Sequence, residues 1–218
     1  VQANEQLAGT GFELVKLQVQ GKAEYATWLS KTLKKGDTVA FDGNLASVAV
    51  AQAVQTELEP LGIQVNGHLD LLEAIWENRP ELPTEKAYLL DVNTTGQSTK
   101  DKISIVKSKL KDKRADVHFV SSLDDLAWIL NIRGNDVHCN PVVLGFLLIQ
   151  EDKNTLFIGS GKLSSADISS LKDSGVEVAD YQGAFEAVKQ LKGERILLDP
   201  KRTCFAIYDS VPENIEIL

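Results

Sequence analysis

Short apolar runs and longer stretches with one apolar face alternate along the chain, which is the pattern of strands alternating with helices. The short runs predict strands at 12–17, 38–42, 63–65, 87–92, 117–120, 142–150, 155–158, 176–179, 195–198 and 215–218. The longer stretches predict helices at 24–35, 45–58, 165–173, 184–191 and 202–210, one or two helical turns at 70–76, and helices that begin after Ser98 and Ser122. Strands 142–150 and 155–158 are adjacent and predict a hairpin. We therefore expect an α/β fold with a mixed sheet.

The alternation is interrupted at residues 77–85, whose sequence is ENRPELPTE. Pro80 and Pro83 break regular structure, and the charged residues keep the segment at the surface. A chain of 218 residues is long enough for two compact units. We place a domain boundary here, with one domain at 1–79 and a second at 80–218.

Two segment pairs suggest an internal repeat. LAGTGFELVKL at 7–17 resembles LKDSGVEVADY at 171–181, and GDTVAFDG at 36–43 resembles GERILLDP at 193–200 with an offset of 157 residues. Chance similarity between two α/β segments stays open as the alternative. A true repeat predicts two related domains, the first without its front half. The absence of methionine and the start at Val1 agree with the expectation that the chain is part of a longer product.

Composition excludes several classes of protein. The net charge is −8, and no basic stripe of the kind that binds nucleic acid is present. The longest apolar run, 141–149, is too short to cross a bilayer, and no signal peptide is visible. Cys139 and Cys204 are the two cysteines and form no CxxC motif, which suits reduced thiols in the cytoplasm, although a disulfide between them stays open.

Metal-ligand patterns are absent from the sequence. No two of the three histidines lie within one helical turn: His68, His118 and His138. Asp125 and Asp136 are eleven residues apart, a spacing that some dinuclear peptidases use, but Asp101 and Asp112 show the same spacing inside one predicted helix. We predict that Asp125 lies at a helix start and Asp136 in a turn, and that this chain holds no metal.

Phosphate-loop and nucleophile motifs are also incomplete. GSGKLSS at 159–165 lacks a P-loop glycine and hydroxyl residue, because Leu156 and Leu163 occupy those positions. We interpret it as a solvated turn capped by Ser164 or Ser165. No GxSxG elbow is present, and His138 and Cys139 are neighbours that would point in opposite directions on extended backbone.

The segment from 121 to 141, SSLDDLAWILNIRGNDVHCNP, is the densest in polar signals. A helix that ends near Gly134 is followed by a polar run that leads into an apolar strand. The candidate cleft or interdomain residues are Asn131, Arg133, Asp136, His138 and Asn140. Two interpretations stay open, a structural turn and a loop that lines a cleft.

Three segments resemble the aminopeptidase P (Xaa-Pro aminopeptidase) family of the creatinase and prolidase superfamily. They are LLEAIWENRPELP at 71–83, DDLAWILNIRGNDVHCNPV at 124–142 and GERILLDPKRTCFAIYDSVP at 193–212, in family order. The resemblance implies the end of a first and the whole of a second creatinase N-terminal-like (ribonuclease H-like) domain, each a mixed sheet flanked by helices.

The same resemblance implies a function for the parent protein. The family removes the N-terminal residue before proline, with two divalent metal ions, commonly manganese, in a third domain that this sequence does not include. Expected partners are the catalytic domain of the same protein and, for the parent, a peptide with proline at its second position. A homodimer stays open, as does the alternative of a free-standing, non-catalytic protein-interaction module. Among the candidates, Arg133 could pair with a peptide carboxylate or with the catalytic domain.

Overall fold

The structure is a computed structural model, and it describes residues 2–18, 23–193 and 195–218. The helices are α1 (Gln2–Gln6), α2 (Glu24–Thr32), α3 (Val48–Leu58), α4 (Val92–Thr95), α5 (Thr99–Lys113), α6 (Leu123–Ile129), α7 (Ser165–Asp173), α8 (Gly183–Lys189) and α9 (Phe205–Asp209). The strands are β1 (Thr38–Ala40), β2 (Gln64–Asn66), β3 (Tyr88–Leu89), β4 (Val117–Val120), β5 (Ile132–Arg133), β6 (Gly145–Ile149), β7 (Asn154–Ile158), β8 (Val176–Asp180), β9 (Arg195–Leu197) and β10 (Glu216–Ile217). This confirms the predicted mixed α/β class.

A six-stranded sheet in the order β10-β9-β4-β6-β7-β8 dominates residues 87–218, which we call the C-terminal part. The strands β10, β9 and β4 are parallel, β4-β6 and β6-β7 are antiparallel, and β7-β8 is parallel. The antiparallel pair β6-β7 is the predicted hairpin. The strand β3 pairs separately with β5.

Two apolar clusters cover opposite faces of this sheet. Leu147 and Ile149 of β6 pack with residues of α5, α6 and α7, whereas Leu148 packs with residues of α8 and α9. This period of two along β6 is the signature of a strand that is buried on both faces. The residues of both clusters lie between Ala87 and Ile217.

Residues 2–76, which we call the N-terminal part, have a smaller core. The parallel pair β1-β2 packs with α2 and α3 around a cluster of buried side chains. Its buried members are Ala26, Val54, Leu58 and Ile63. The two parts therefore bury separate apolar clusters.

Several predicted elements differ from the structure. Residues 12–17 form no strand: Phe12 is 76% exposed, and no described strand lies beside the segment to accept its backbone hydrogen bonds. The predicted turns at 70–76 contain a hydrogen-bonded turn at Leu72–Trp76 but no α-helix. The helix predicted to end near Gly134 ends at Ile129, because Ile132 and Arg133 pair with β3 instead.

Two helices, α3 and α9, start later than predicted, and each follows a turn that an aspartate side chain stabilises. The carboxylate of Asp42 accepts the backbone N–H of Asn44, and that of Asp199 accepts the backbone N–H of Lys201, which forms a turn before α3 and before α9. The helices begin after these turns, with Ser47 and Cys204 as their N-cap residues. Positions 45–47 and 202–204 therefore belong to the turns.

Backbone hydrogen bonds join the two parts at these turns, in a contact that we call the junction. Val48 N–H donates to Thr203 O over 3.0 Å, and Phe205 N–H donates to Ala46 O over 2.8 Å. Ser47 and Cys204 form the antiparallel bridge between these bonds. Two further bonds of 2.8 and 2.9 Å join Ala49 N–H to Pro200 O and Ala206 N–H to Gly43 O.

A proline substitution isolates one of these bonds. Val48 is the first residue of α3, where proline fits the helix and the missing N–H removes no helical bond. We expect Val48→Pro to lower the free energy of unfolding by about 1–3 kcal/mol, because the carbonyl of the fully buried Thr203 loses its donor. The matched control is Ser165→Pro at the exposed first residue of α7. Urea unfolding measures both; equal effects would contradict the prediction.

Candidate functional site

The loop at 131–140, which follows α6, begins with a buried polar contact. Asn131 is 5% exposed and has a φ of +53°, a left-handed conformation that asparagine tolerates. Its side-chain N–H donates to Gln97 O over 2.9 Å, and its Oδ1 accepts from Lys102 Nζ over 2.6 Å. The start of the loop is therefore fixed against α5 and the turn before it.

Lys102 is a buried cation whose ammonium group donates to two uncharged oxygens, Asn131 Oδ1 and Trp128 O. Its Nζ donates to Trp128 O over 2.9 Å and lies 4.6 Å from the centroid of the Trp128 ring. Burial, with a smaller contribution from the Arg133 charge, lowers the pKa of Lys102 below its usual value of 10.5. The half-exposed indole thus covers the ammonium group, which explains a tryptophan on the solvent side of α6.

The lowered pKa of Lys102 gives a prediction about stability at high pH. Below pH 10.5 the unfolded chain keeps the proton that folded Lys102 releases earlier, so this group makes unfolding less favourable as the pH rises towards 10.5. We expect the unfolding free energy of the parent chain minus that of Lys102→Met to increase as the pH rises towards 10.5. Urea unfolding across this rise in pH measures it, and a constant difference would contradict the prediction.

Arg133 is turned towards the loop's own backbone. Its Nη1 donates to Ala127 O over 2.7 Å and to Ile132 O over 2.8 Å. Its backbone lies in β5, opposite Tyr88. The guanidinium is half-buried and keeps further N–H donors beyond these two bonds.

Asp136 lies in a buried ion pair. Its side chain is 1% exposed and that of its partner Lys162 is 3% exposed. The second carboxylate oxygen accepts the Leu144 N–H over 2.7 Å, and Lys162 Nζ lies 3.4 Å from Glu85 O. This corrects the interpretation of 159–165 as a solvated turn, since Lys162 reaches inward to the loop, although Ser164 does cap α7 as predicted.

The tip of the loop, residues 137–140, is a tight, exposed turn. Asn140 N–H donates to Val137 O over 3.1 Å, and Cys139 has a φ of +61°. An open cleft of about 290 Å³ lies here, lined by Asn135, Val137, His138, Cys139, Asn140 and Pro141. The His138 imidazole and the Asn140 amide are therefore exposed at this cleft.

The candidate residues thus divide into two groups. His138 and Asn140 lie together at the exposed tip, whereas Asn131, Arg133 and Asp136 hold the loop through contacts below it. Sequence reasoning missed Lys102 and Lys162, whose partners are 29 and 26 residues away. No local pattern distinguishes these two lysines from the solvated ones.

A metal site does not fit the described side chains. No group of three or more His, Cys, Asp or Glu side chains that could hold an ion occurs among them. His118 Nδ1 lies 3.0 Å from Leu197 O, and His68 Nε2 lies 3.5 Å from an Asp209 carboxylate oxygen. Both described cysteines are free thiols. None of the described helices has the length and apolar character needed to cross a membrane.

Comparison with known proteins gives consistent matches. Residues 78–218 match the family model described as the creatinase/prolidase N-terminal domain. The chain is 29% identical to Xaa-Pro aminopeptidase 1 of Dictyostelium discoideum over 97% of its own length, and 32% identical to Xaa-Pro aminopeptidase ApepP of Drosophila melanogaster over 82%. These alignments cover 35% and 29% of the relatives, so the chain spans about a third of their length.

A solved structure agrees with these matches. The crystal structure of X-prolyl aminopeptidase from Caenorhabditis elegans, described as a cytosolic enzyme with a di-nuclear active site, superposes with a TM-score of 0.89. The sequences are 27% identical, and the match covers 99% of this chain and 37% of the other. The similarity therefore extends over both parts of this chain.

Proposed function

Because the chain belongs to the creatinase/prolidase N-terminal domain family, we propose that it is the non-catalytic N-terminal portion of a metal-dependent Xaa-Pro aminopeptidase. It shapes access to the active site and contributes to assembly with the catalytic domain. The observation that carries the proposal is the TM-score of 0.89 over 99% of the chain with an X-prolyl aminopeptidase. The test is whether Xaa-Pro peptidase activity is absent from residues 1–218 and present in a chain that continues past Leu218.

The described donor set supports the assignment of the metals to the rest of the parent protein. No described group of side chains here could hold an ion, whereas the Caenorhabditis elegans relative has a di-nuclear site. Two divalent ions, manganese in our proposal, bind in the catalytic domain of the parent. There they supply a Lewis acid and an activated water for peptide hydrolysis. The parent is proposed to be cytoplasmic.

We also propose that the two parts are related domains, with the boundary between residues 79 and 80 and with the first lacking its front half. The separate apolar clusters support this division, as does the match between β1 and β9 at the offset of 157 residues. Each of these strands is parallel to a partner further along the chain, β2 or β10. The other repeat match fails at 12–17, where no strand forms.

The loop at 131–140 is proposed to face the substrate cleft or the catalytic domain. Its exposed tip presents His138 and Asn140, and the contacts of Asn131, Arg133 and Asp136 hold that tip in place. A rigid loop loses little conformational entropy when it meets a partner. The free donors of Arg133 could in addition pair with a peptide carboxylate.

Substitution of Arg133 tests the role of this loop. In the full-length enzyme we expect Arg133→Ala to lower kcat/KM at least about tenfold, which corresponds to about 1.4 kcal/mol of transition-state stabilisation. The control is Lys192→Ala, which removes an exposed cation from another loop. Thermal unfolding separates a loss of folding from a loss of rate. An unchanged kcat/KM would contradict a role for Arg133 in the cleft.

The second candidate is a free-standing interaction module with this fold and no catalytic partner. Its supporting feature is the concentration of exposed apolar side chains in the N-terminal part, such as Phe12, Leu17 and Trp28. A gene that encodes only this segment favours the module, whereas a reading frame that continues past Leu218 favours the enzyme portion.

A further inference from the structure

The junction is reciprocal at every backbone position it uses. At the repeat offset of 157 residues, Val48 corresponds to Phe205 and Ala46 corresponds to Thr203. The bond from Val48 N–H to Thr203 O is therefore the equivalent of the bond from Phe205 N–H to Ala46 O. At the same offset, the bond from Ala49 N–H to Pro200 O is the equivalent of the bond from Ala206 N–H to Gly43 O. Ser47 corresponds to Cys204, its partner in the bridge. Two different segments of one chain thus meet as two copies of one segment would in a two-fold symmetric dimer.

The reciprocity has a physical cause in the ends of two helices. The first N–H groups of a helix have no partner within it, and α3 and α9 each leave such donors at their start. Each segment supplies two carbonyls to the other helix and receives two carbonyls for its own. A segment that carries both the donors and the acceptors of a contact is complementary to itself.

The side chains at the junction also allow a second copy of 199–206. Phe205 lies against Gly67, where a Cβ would be 2.5 Å from the ring, and against Phe41, with ring centroids 5.6 Å apart. The position that corresponds to Phe205 is Val48, which is smaller. Beside Val48 there is an open cleft of about 310 Å³, lined by Val48, Gln52, Leu197, Leu198, Pro200, Tyr208, Ile217 and Leu218. A phenylalanine in the place of Val48 would therefore find apolar walls and space.

We propose that segment 199–206 is a self-complementary interface whose alternative partner is the same segment of a second copy of this chain. In the structure, segment 43–49 occupies it as a tethered substitute for that second copy. The two parts are joined by residues 77–86, and a short tether of this kind gives an effective concentration in the millimolar range, so the parent chain stays closed at micromolar concentrations. Release of segment 43–49 exposes the interface.

The experiment uses Cys204 as a reporter in the full chain. The Ser47–Cys204 pair is a non-hydrogen-bonded antiparallel pair, whose Cα atoms are about 4.5 Å apart and within disulfide range. In a Cys139→Ser background with oxidised glutathione as the two-electron oxidant for every cross-link, Ser47→Cys should form the intrachain 47–204 disulfide, which reports a closed junction. In a symmetric dimer through 199–206, Cys204 meets Cys204 at the same position and should form an interchain disulfide.

Two substitutions open the junction from the N-terminal part alone. Val48→Asp places a carboxylate against the apolar wall but suits the start of α3, and Gly67→Leu fills the site of the Phe205 ring. In each case, loss of the 47–204 disulfide in the Ser47→Cys chain shows that the junction is open, and a larger residue at Gly67 is used if the disulfide persists.

The expected result is at least about a tenfold increase in Cys204–Cys204 dimer over the parent, because the tethered competitor is removed. Cys204→Ser should abolish the cross-link, while light scattering should still detect the non-covalent dimer. An open junction with monomeric chains and a free Cys204 thiol at about 100 µM would overturn the proposal. If one variant fails to unfold cooperatively in the C-terminal part, the other decides the result.

Discussion

We expect Lys162→Met to lower the free energy of unfolding by about 3–5 kcal/mol, because it leaves the Asp136 carboxylate buried without its counter-charge. Methionine preserves most of the side-chain volume, so the change in packing is small. For a chain of this length, such a loss lowers the Tm by about 6–20 °C. Urea and thermal unfolding measure both quantities.

The matched control is Lys153→Met, at an ion pair whose side chains are 56% and 63% exposed. An exposed pair contributes about 0–1 kcal/mol, so this variant should unfold nearly as the parent does. The double variant Lys162→Met with Asp136→Asn should lose less stability than Lys162→Met alone, since it removes the unpaired charge. Equal losses in the two lysine variants would show that the buried pair does not hold the loop.

The Asp136–Lys162 ion pair connects two loops. Asp136 lies directly before the exposed tip, and Lys162 lies before α7, 26 residues further along the chain. If the tip contacts the catalytic domain or the substrate, as we propose, its position depends on this connection. Loss of the pair should therefore disturb the tip even in a chain that still folds.

Local features of the fold could be predicted from the sequence. Ser98, Ser122 and Ser164 accept the N–H groups of the residues three positions later, because an N-cap is set by neighbouring residues. The strand at 117–120 and the helix at 165–173 have the predicted bounds. The two adjacent apolar runs at 142–150 and 155–158 likewise identified the hairpin.

Features that depend on distant partners could not be predicted. Residues 12–17 have the pattern of a strand but no described neighbour to pair with, and Ile132 and Arg133 form a strand only because β3 lies beside them. The roles of Lys102 and Lys162 depend on residues that the fold brings close. The family resemblance was confirmed, whereas the domain boundary and the roles of the candidate site residues stay predictions.

The second large effect concerns catalysis, which we expect only in a longer chain. The described residues of this chain hold no group of side chains that could bind a metal ion, and the chain spans about a third of the Xaa-Pro aminopeptidases it matches. Uncatalysed peptide hydrolysis is slower than enzymatic turnover by many orders of magnitude, about 10⁶-fold or more. The difference between the two chains should therefore be all or none in a standard assay.

The most direct measurement is hydrolysis of an Xaa-Pro peptide with added manganese, by residues 1–218 and by a chain extended past Leu218 by the length of a catalytic domain. We predict activity in the extended chain alone, with release of the residue before proline. Activity in residues 1–218 would contradict the assignment of catalysis to the rest of the protein, and inactivity of both chains would favour an interaction module instead.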